Sequence, residues 1–193
     1  MTSFHSPLSP LARCYWLTGM PGAGKTTLAH ALHQAADAQG LRAIVLDGDA
    51  LRKGLNRDLA FDRAARRENV RRIAEVAKLL VDAGLIVFVA AISPYREDRE
   101  AARALFPQRQ FAEIFVSTDL DTCAARDPKG LYARARRGEL SGLTGWSDAY
   151  EAPARPESRI DTAGLSVAEA AGRVLRDLGA ALDRAARQAL ARP

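Results

Sequence analysis

Gly19-Met20-Pro21-Gly22-Ala23-Gly24-Lys25-Thr26 is the stretch on which the fold turns. It satisfies the pattern G-x-x-x-x-G-K-[ST]. In that pattern glycines let backbone N–H groups turn inward around a polyphosphate, the lysine reaches the β/γ-phosphates, and the hydroxyl residue holds Mg²⁺. The flanks suit it. Cys14 to Thr18 is a short apolar run that reads as a buried strand. Thr27 to Leu32 opens a helix whose N-terminus adds partial positive charge. Gly19, Met20, Pro21, Gly22, Ala23, Gly24, Lys25, Thr26 and Thr27 are therefore the candidate ATP-binding set.

Outward from this loop, helical and strand patterns alternate, which predicts a parallel sheet covered by helices. A first helix runs to about Gln39 and stops at Gly40; Ala43 to Leu46 is a second strand, ending in Asp47-Gly48-Asp49. A short helix is expected over Ala50 to Leu55 and a long one over Arg63 to Ala83. Leu85 to Ala91, the most apolar run, reads as a central strand. Ser93 either donates to a substrate or, as the default reading, caps the next helix, with Pro94 in its first turn. Phe111 to Val116 is a fourth strand, followed by a helix from about Leu120. Residues 127–159 are rich in Gly, Pro and charge, and a loop of that length in a compact domain reads as a lid. Ile160 to Thr162 is a short last strand and Val167 to Leu190 an amphipathic helix. The expected architecture is α/β: a P-loop NTPase-type three-layer α/β/α sandwich with about five mostly parallel strands. The reading is a single domain over 1–193, with 1–12 as a flexible tail.

The bulk properties narrow the partners. The 193 residues are 48% hydrophobic and 26% charged, which is ordinary for a globular domain. The longest apolar run falls well short of a membrane span, and the first residues lack the pattern of a secretory signal. The net charge of +5 is spread along the chain with no aromatic-and-basic stripe. It is read as serving small anionic substrates rather than nucleic acid. Cys14 and Cys123 read as buried free thiols of a cytoplasmic protein.

The remaining chemistry lies at the carboxyl ends of the strands, where ligands bind in open parallel sheets. Asp47 and Asp49 suit Mg²⁺ and a hydroxyl acceptor, although Asp49 is also a natural helix cap. Arg52, Arg66 and Asn69 offer anion contacts, but Arg63, Arg66, Arg67, Arg71 and Arg72 share one helix, and most must face solvent. Phe61 is either a hydrophobic staple or a platform for a base. Lys129, in Asp127-Pro128-Lys129-Gly130-Leu131-Tyr132, is placed to be carried over the site as the lid closes.

Taken in order, these segments resemble the adenylylsulfate kinase family from Tyr15 to Thr162. The matching stretches include Leu46-Asp47-Gly48-Asp49, Arg66 through Arg72, Asp82 through Val87, Ile92-Ser93-Pro94-Tyr95-Arg96 and Arg126 through Tyr132. The resemblance implies transfer of phosphate from ATP, with Mg²⁺, to the 3′-hydroxyl of adenosine 5′-phosphosulfate in sulfate assimilation. It implies an acceptor site of Asp49, Arg52, Phe61, Arg66, Asn69, Ile92, Ser93, Lys129 and Leu143. It also implies catalytic roles for Lys25 and Asp49, a phosphoserine position at Ser93, a metal site of Thr26 with Asp47 or Asp49, a homodimer, and a sulfurylase partner.

The chain departs from the family at Met20-Pro21, where Leu-Ser is usual, and at Ala65. In the lid, Leu143 stands where a phenylalanine forms the second face of the adenine sandwich, and Trp146 lies nearby. Loss of a base–aromatic stack costs about 1–3 kcal/mol. Another nucleotide-like acceptor, or a nucleotide-binding regulator without turnover, are the alternative readings.

Overall fold

The computed structural model describes residues 12–107 and 109–190, with side chains to residue 178. Apart from Ala12, the tail assigned to 1–12 lies outside the described residues. The elements are β1 (Arg13–Thr18), α1 (Lys25–Asp37), β2 (Ala43–Asp47), α2 (Gly48–Lys53), α3 (Arg63–Asp82), β3 (Ile86–Ala90), α4 (Arg96–Ala104), β4 (Phe111–Val116), α5 (Leu120–Arg126), α6 (Leu131–Arg136), β5 (Ser158–Ile160) and α7 (Val167–Leu190).

The strands form one five-stranded sheet in the order β2-β3-β1-β4-β5, and every pairing is parallel. Alternation along the strands divides the core in two. Leu17, Phe88, Ile114 and Val116 face α1 and α7, meeting Leu28, Leu32, Ala170 and Val174. Cys14, Trp16, Val87 and Val89 face the other way, onto Val70, Ile73, Ala77 and Val81 of α3 and Ala102 of α4. This is the expected three-layer arrangement. β3 is buried along its whole length but is not the middle strand; β1 is. The chain leaves β1 toward β2 on one side, while β4 and β5 lie on the other. The turn after β1 thus sits at the switch point where such sheets open a crevice.

Three local expectations need correction. The α4 helix begins at Arg96, not at Pro94, and its N-cap is Tyr95. Ser93 is not its cap. The missing cap is supplied from a distance, by the Glu151 carboxylate accepting from the Arg96 amide at 2.8 Å. Residues 127–159 are not one loop: α6 occupies part of them, because Asp127 accepts from the amides of Tyr132 and Ala133 and so holds that turn. The last strand is Ser158–Ile160 rather than 160–162, paired with Ile114 to Val116 of β4.

No helix among the described residues is long and apolar enough to cross a membrane. Cys14 and Cys123 are both buried and free.

Candidate active site

The phosphate loop joins β1 to α1 over the middle of the sheet. Gly19 has φ of +153°, and a Cβ there would stand 2.4 Å from the Val116 carbonyl oxygen, so only glycine lets the loop leave β1 against β4. Gly24 occupies the N-cap of α1 in a left-handed conformation, and no side chain caps the helix. The first-turn amides stay available to an anion. Lys25 is 9% exposed, and its ammonium donates to the carbonyls of Gly19 at 2.9 Å and Met20 at 2.8 Å. Burial pushes Lys25 down to about 8, opposed by the nearby Asp49 carboxylate.

Asp47 and Asp49 turn out to be unlike. Asp47, not Asp49, caps α2: its Oδ1 accepts from the amides of Asp49 (2.9 Å) and Ala50 (3.0 Å). Its Oδ2 accepts from the Thr26 hydroxyl at 2.7 Å. Burial alone would raise the Asp47 carboxyl, but these hydrogen bonds together hold it below the usual carboxylate range. The Asp49 carboxylate, in the first turn of α2, is free of any capping duty. Its side chain is 62% exposed, and Lys129, carried on the segment before α6, pairs with it across the site.

One cavity of about 930 Å³ connects these groups. Pro21, Gly22, Gly24, Lys25, Thr26 and Thr27 line it from the phosphate loop. All nine acceptor positions expected above line the same space: Asp49, Arg52, Phe61, Arg66, Asn69, Ile92, Ser93, Lys129 and Leu143. Gly19, Met20 and Ala23 do not. Ala23 is fully buried, with its carbonyl accepting from Thr162, and Met20 is turned toward the lid.

The arginines of α3 divide between solvent and site, and Arg66, the one that the resemblance names, is the one turned inward. Arg63 and Arg67 pair with Glu97, and Arg71 and Arg72 pair with Glu68. Arg66 is 7% exposed and turns inward. It donates to the carbonyls of Phe61 (2.6 Å) and Gly142 (2.6 Å) and to the Thr144 hydroxyl (3.0 Å). Arg66 thereby ties α3 to the lid. Phe61 is not a hydrophobic staple. It is 63% exposed, and the guanidinium groups of Arg52 and Arg66 lie over its ring at 4.4 and 6.0 Å. Burial, and then the charge of Arg66, push Arg52 below its ordinary value, which marks a positive field suited to an anion. Asn69 is held by Asn56, whose amide donates to its Oδ1 at 3.1 Å.

The lid lies down on the phosphate loop. The Tyr132 hydroxyl donates to the Pro21 carbonyl at 2.9 Å. At the lid tip, Leu143 to Asp148 form a tight turn in which the Leu143 carbonyl accepts from Trp146, Ser147 and Asp148. Leu143 is buried against the α1/α7 core and forms part of the cavity wall. Gly145 has φ of +83°, and a Cβ there would stand 2.5 Å from the Met20 sulfur. Trp146 is not part of the cavity wall; it sets its edge against Tyr132 and lies under Arg136.

Sequence reasoning missed Arg126 and Thr162, which line the cavity beyond the phosphate loop. Arg126 donates to the Thr162 hydroxyl at 2.8 Å and carbonyl at 2.9 Å. Arg126 stood inside a matching stretch, but nothing in its local pattern distinguished it from a surface arginine.

The comparisons with known proteins agree with this geometry. The adenylylsulphate kinase family matches residues 12–161. An adenylyl-sulfate kinase of Geotalea uraniireducens is 55% identical over 161 residues, covering 83% of this chain and 77% of that one. One of Burkholderia ambifaria is 53% identical over 163 residues, covering 84% of this chain and 90% of that one. Among solved structures, the Mycobacterium tuberculosis APS kinase CysC in complex with AMPPNP and APS superposes with a TM-score of 0.83 at 43% identity, covering 86% of this chain and 97% of that one. The chain belongs to the adenylylsulphate kinase family of P-loop kinases.

Proposed function

We propose that this chain transfers the γ-phosphoryl group of ATP to the 3′-hydroxyl of adenosine 5′-phosphosulfate, giving 3′-phosphoadenosine 5′-phosphosulfate. The observation that carries the reading is the single cavity walled by the phosphate loop on one side and by Asp49, Arg52, Phe61, Arg66 and Asn69 on the other. A donor and an acceptor bound there meet beneath one lid. The related M. tuberculosis kinase was solved with AMPPNP and APS together, which supports both ligands here.

Phosphoryl transfer asks the protein for positioning and charge neutralisation more than for covalent chemistry. Lys25 leaves the loop carbonyls for the β/γ-phosphates, and the first-turn amides of α1 take up the phosphate oxygens. Thr26 with Asp47 suits Mg²⁺, which is held by one or two protein oxygens and completes its shell with water and phosphate. When bound there, Mg²⁺ would supply neutralisation of the charge developing on the transferred group. Asp49 orients the acceptor hydroxyl and takes its proton. Arg52 and Arg66 hold the phosphosulfate, Phe61 offers its exposed ring to the adenine, and Leu143 adds apolar wall to the same cavity. Lys129 leaves Asp49 for the anionic substrates.

Ser93 is assigned a structural role rather than that of a phosphate carrier. It is 3% exposed, its Oγ accepts from the Trp16 indole at 2.9 Å, and it also donates toward the Ala91 carbonyl. Ser93→Ala is expected to keep transfer within about tenfold of the parent, the loss of a hydrogen bond or two. Intact-mass measurement after incubation with ATP alone is expected to find no added phosphate on the parent chain; a stoichiometric phosphoserine would refute the assignment.

Lys25 makes the donor step pH-sensitive. Its folded value of about 8 lies below the ordinary 10.5. The protonated form binds phosphate, so kcat/KM for ATP should be level below about 8 and fall as pH rises through it. Stability moves the other way. Between about 8 and 10.5 the unfolded chain binds more protons than the folded one, so this lysine's contribution to stability rises with pH there. A pH profile of kcat/KM for ATP that is flat to pH 10 would dismiss the assignment.

The defining experiment is a coupled ADP-release assay with Mg²⁺, comparing adenosine 5′-phosphosulfate with other nucleotides and repeated with EDTA. Preference for a non-adenine acceptor, or undiminished turnover in EDTA, would overturn the corresponding part of the proposal. Homodimerisation, a sulfurylase partner and a cytoplasmic site of action belong to the same proposal through the family resemblance, and sedimentation of the purified chain tests the first.

A further inference from the structure

Three arginines on one face of α4 grip the segment that returns from the lid to β5. Arg96, Arg99 and Arg103 stand at positions i, i+3 and i+7. Arg96 donates to the Ala152 carbonyl at 3.2 Å. Arg103 forms a two-pronged pair with Glu157 at 2.7 and 2.8 Å. Arg99, between them, does more. It is 2% exposed and engages all three of its nitrogens: Nε donates to Glu113 of β4 at 2.7 Å, Nη2 to the Glu151 carbonyl at 2.6 Å, and Nη1 to the Ser93 carbonyl at 2.6 Å.

The Ser93 contact reaches the floor of the cavity. Ser93 has φ of +40°, a conformation that a non-glycine residue holds only when its surroundings impose it. What imposes it is visible. The Trp16 indole holds the Ser93 side chain from β1, and Arg99 holds its carbonyl from α4. The Thr18 hydroxyl, one residue before the phosphate loop, donates to the Ile92 carbonyl at 2.7 Å and meets the Tyr150 hydroxyl at 3.0 Å. Arg99 therefore sits where the turn carrying Ile92 and Ser93, the foot of the lid at Tyr150–Glu151, and the start of the phosphate loop converge.

We propose that Arg99 is a positioning residue for phosphoryl transfer: through the Ser93 and Glu151 carbonyls it fixes the acceptor turn and the lid foot at one height relative to the phosphate loop. The proposal rests on the assignment of Ile92 and Ser93 to the acceptor. It gives a physical reason for a buried arginine whose charge one carboxylate would already balance. Its two carbonyl contacts set geometry. In-line transfer is sensitive to displacements of an ångström or less between donor and acceptor.

The test uses Arg99→Lys, because Arg99→Ala would leave the buried Glu113 carboxylate with only its longer, 3.5 Å pairing to Arg103. Lysine keeps the ion pair but has no fork to span both carbonyls. The background is Trp146→Phe, which leaves Trp16 as the sole tryptophan, itself bonded to Ser93. The expected result is an acceptor KM raised by about tenfold or more, consistent with loss of charge-assisted hydrogen bonds. The KM for ATP should be unchanged, and Trp16 emission should shift. Arg96→Lys, which loosens the return segment at the Ala152 carbonyl without touching the acceptor turn or the surroundings of Trp16, is expected to leave acceptor KM and Trp16 emission alone. If Arg99→Lys moves neither acceptor KM nor Trp16 emission, Arg99 is not a positioning residue. If Trp16 emission moves while acceptor KM does not, the turn does not serve the acceptor and the proposal fails with that assignment. Equal rises in the KM for ATP and for the acceptor would reduce Arg99 to a general structural role.

Discussion

Asp49→Ala is expected to lower turnover by about 10²–10⁴-fold, the range for removal of a positioned general base, while ATP binding persists. The prediction depends on a separation of duties that the structure makes clear. Asp47 carries the cap of α2 and the Thr26 hydrogen bond; Asp49 carries neither. Removing the Asp49 carboxylate therefore leaves α2 and the Thr26 site intact. Its only side-chain partner among the described contacts is Lys129, itself on the lid side of the cavity. The converse substitution, Asp47→Ala, should cost stability, about 1 kcal/mol for the lost cap, and should weaken Mg²⁺-dependent ATP binding as well. Titration calorimetry with ATP and ADP release with acceptor, run on both variants, separate the two duties. Near-normal turnover of Asp49→Ala would remove Asp49 from the mechanism.

Arg66→Ala is expected to raise the acceptor KM by about 10²-fold or more, since each hydrogen bond to a charged group contributes about 1.5–3 kcal/mol. The side chain has two tasks. It is one of the two arginines beside Phe61 in the acceptor region, and it fastens the lid through Gly142 and Thr144. Its loss should thus show twice: in acceptor affinity, and in faster limited proteolysis between 137 and 149. ATP affinity should change less than acceptor affinity, because Arg66 reaches the phosphate loop only through the lid. Arg66→Lys should not rescue, since an ammonium cannot reproduce a fork that reaches the Phe61 carbonyl, the Thr144 hydroxyl and the Gly142 carbonyl together. A variant with ordinary lid protection and equal rises in both KM values would show that Arg66 acts only through stability.

Much of this was legible in the chain because the signals were local. The phosphate loop announces itself in consecutive residues, and its flanks share the strand–turn–helix order that the motif needs. Alternating elements gave a parallel sheet, and Phe111–Val116 and Val167–Leu190 have the bounds expected from their patterns. What was not legible depended on contacts across the fold. Nothing near Ser93 shows that its hydroxyl belongs to Trp16, 77 residues away, so a Ser-Pro pair read as a helix cap. Asp47 and Asp49 are chemically identical in sequence, and only the backbone direction at the end of β2 decides which one turns back to cap α2. The five arginines of α3 could not be sorted by charge, since what distinguishes Arg66 is a lid almost eighty residues downstream. Arg99 was invisible for the same reason: its three partners come from β4, the acceptor turn and the lid foot.

The contact between Met20 and Gly145 has a consequence for recombination. The phosphate loop and the lid tip touch each other here, and the left-handed glycine lets the methionine sulfur come close. They behave as a matched pair. A chimera that grafts a relative's lid onto this body, or a relative's phosphate loop under this lid, exchanges one half of a fitted surface. Such chimeras should work only when both segments travel together.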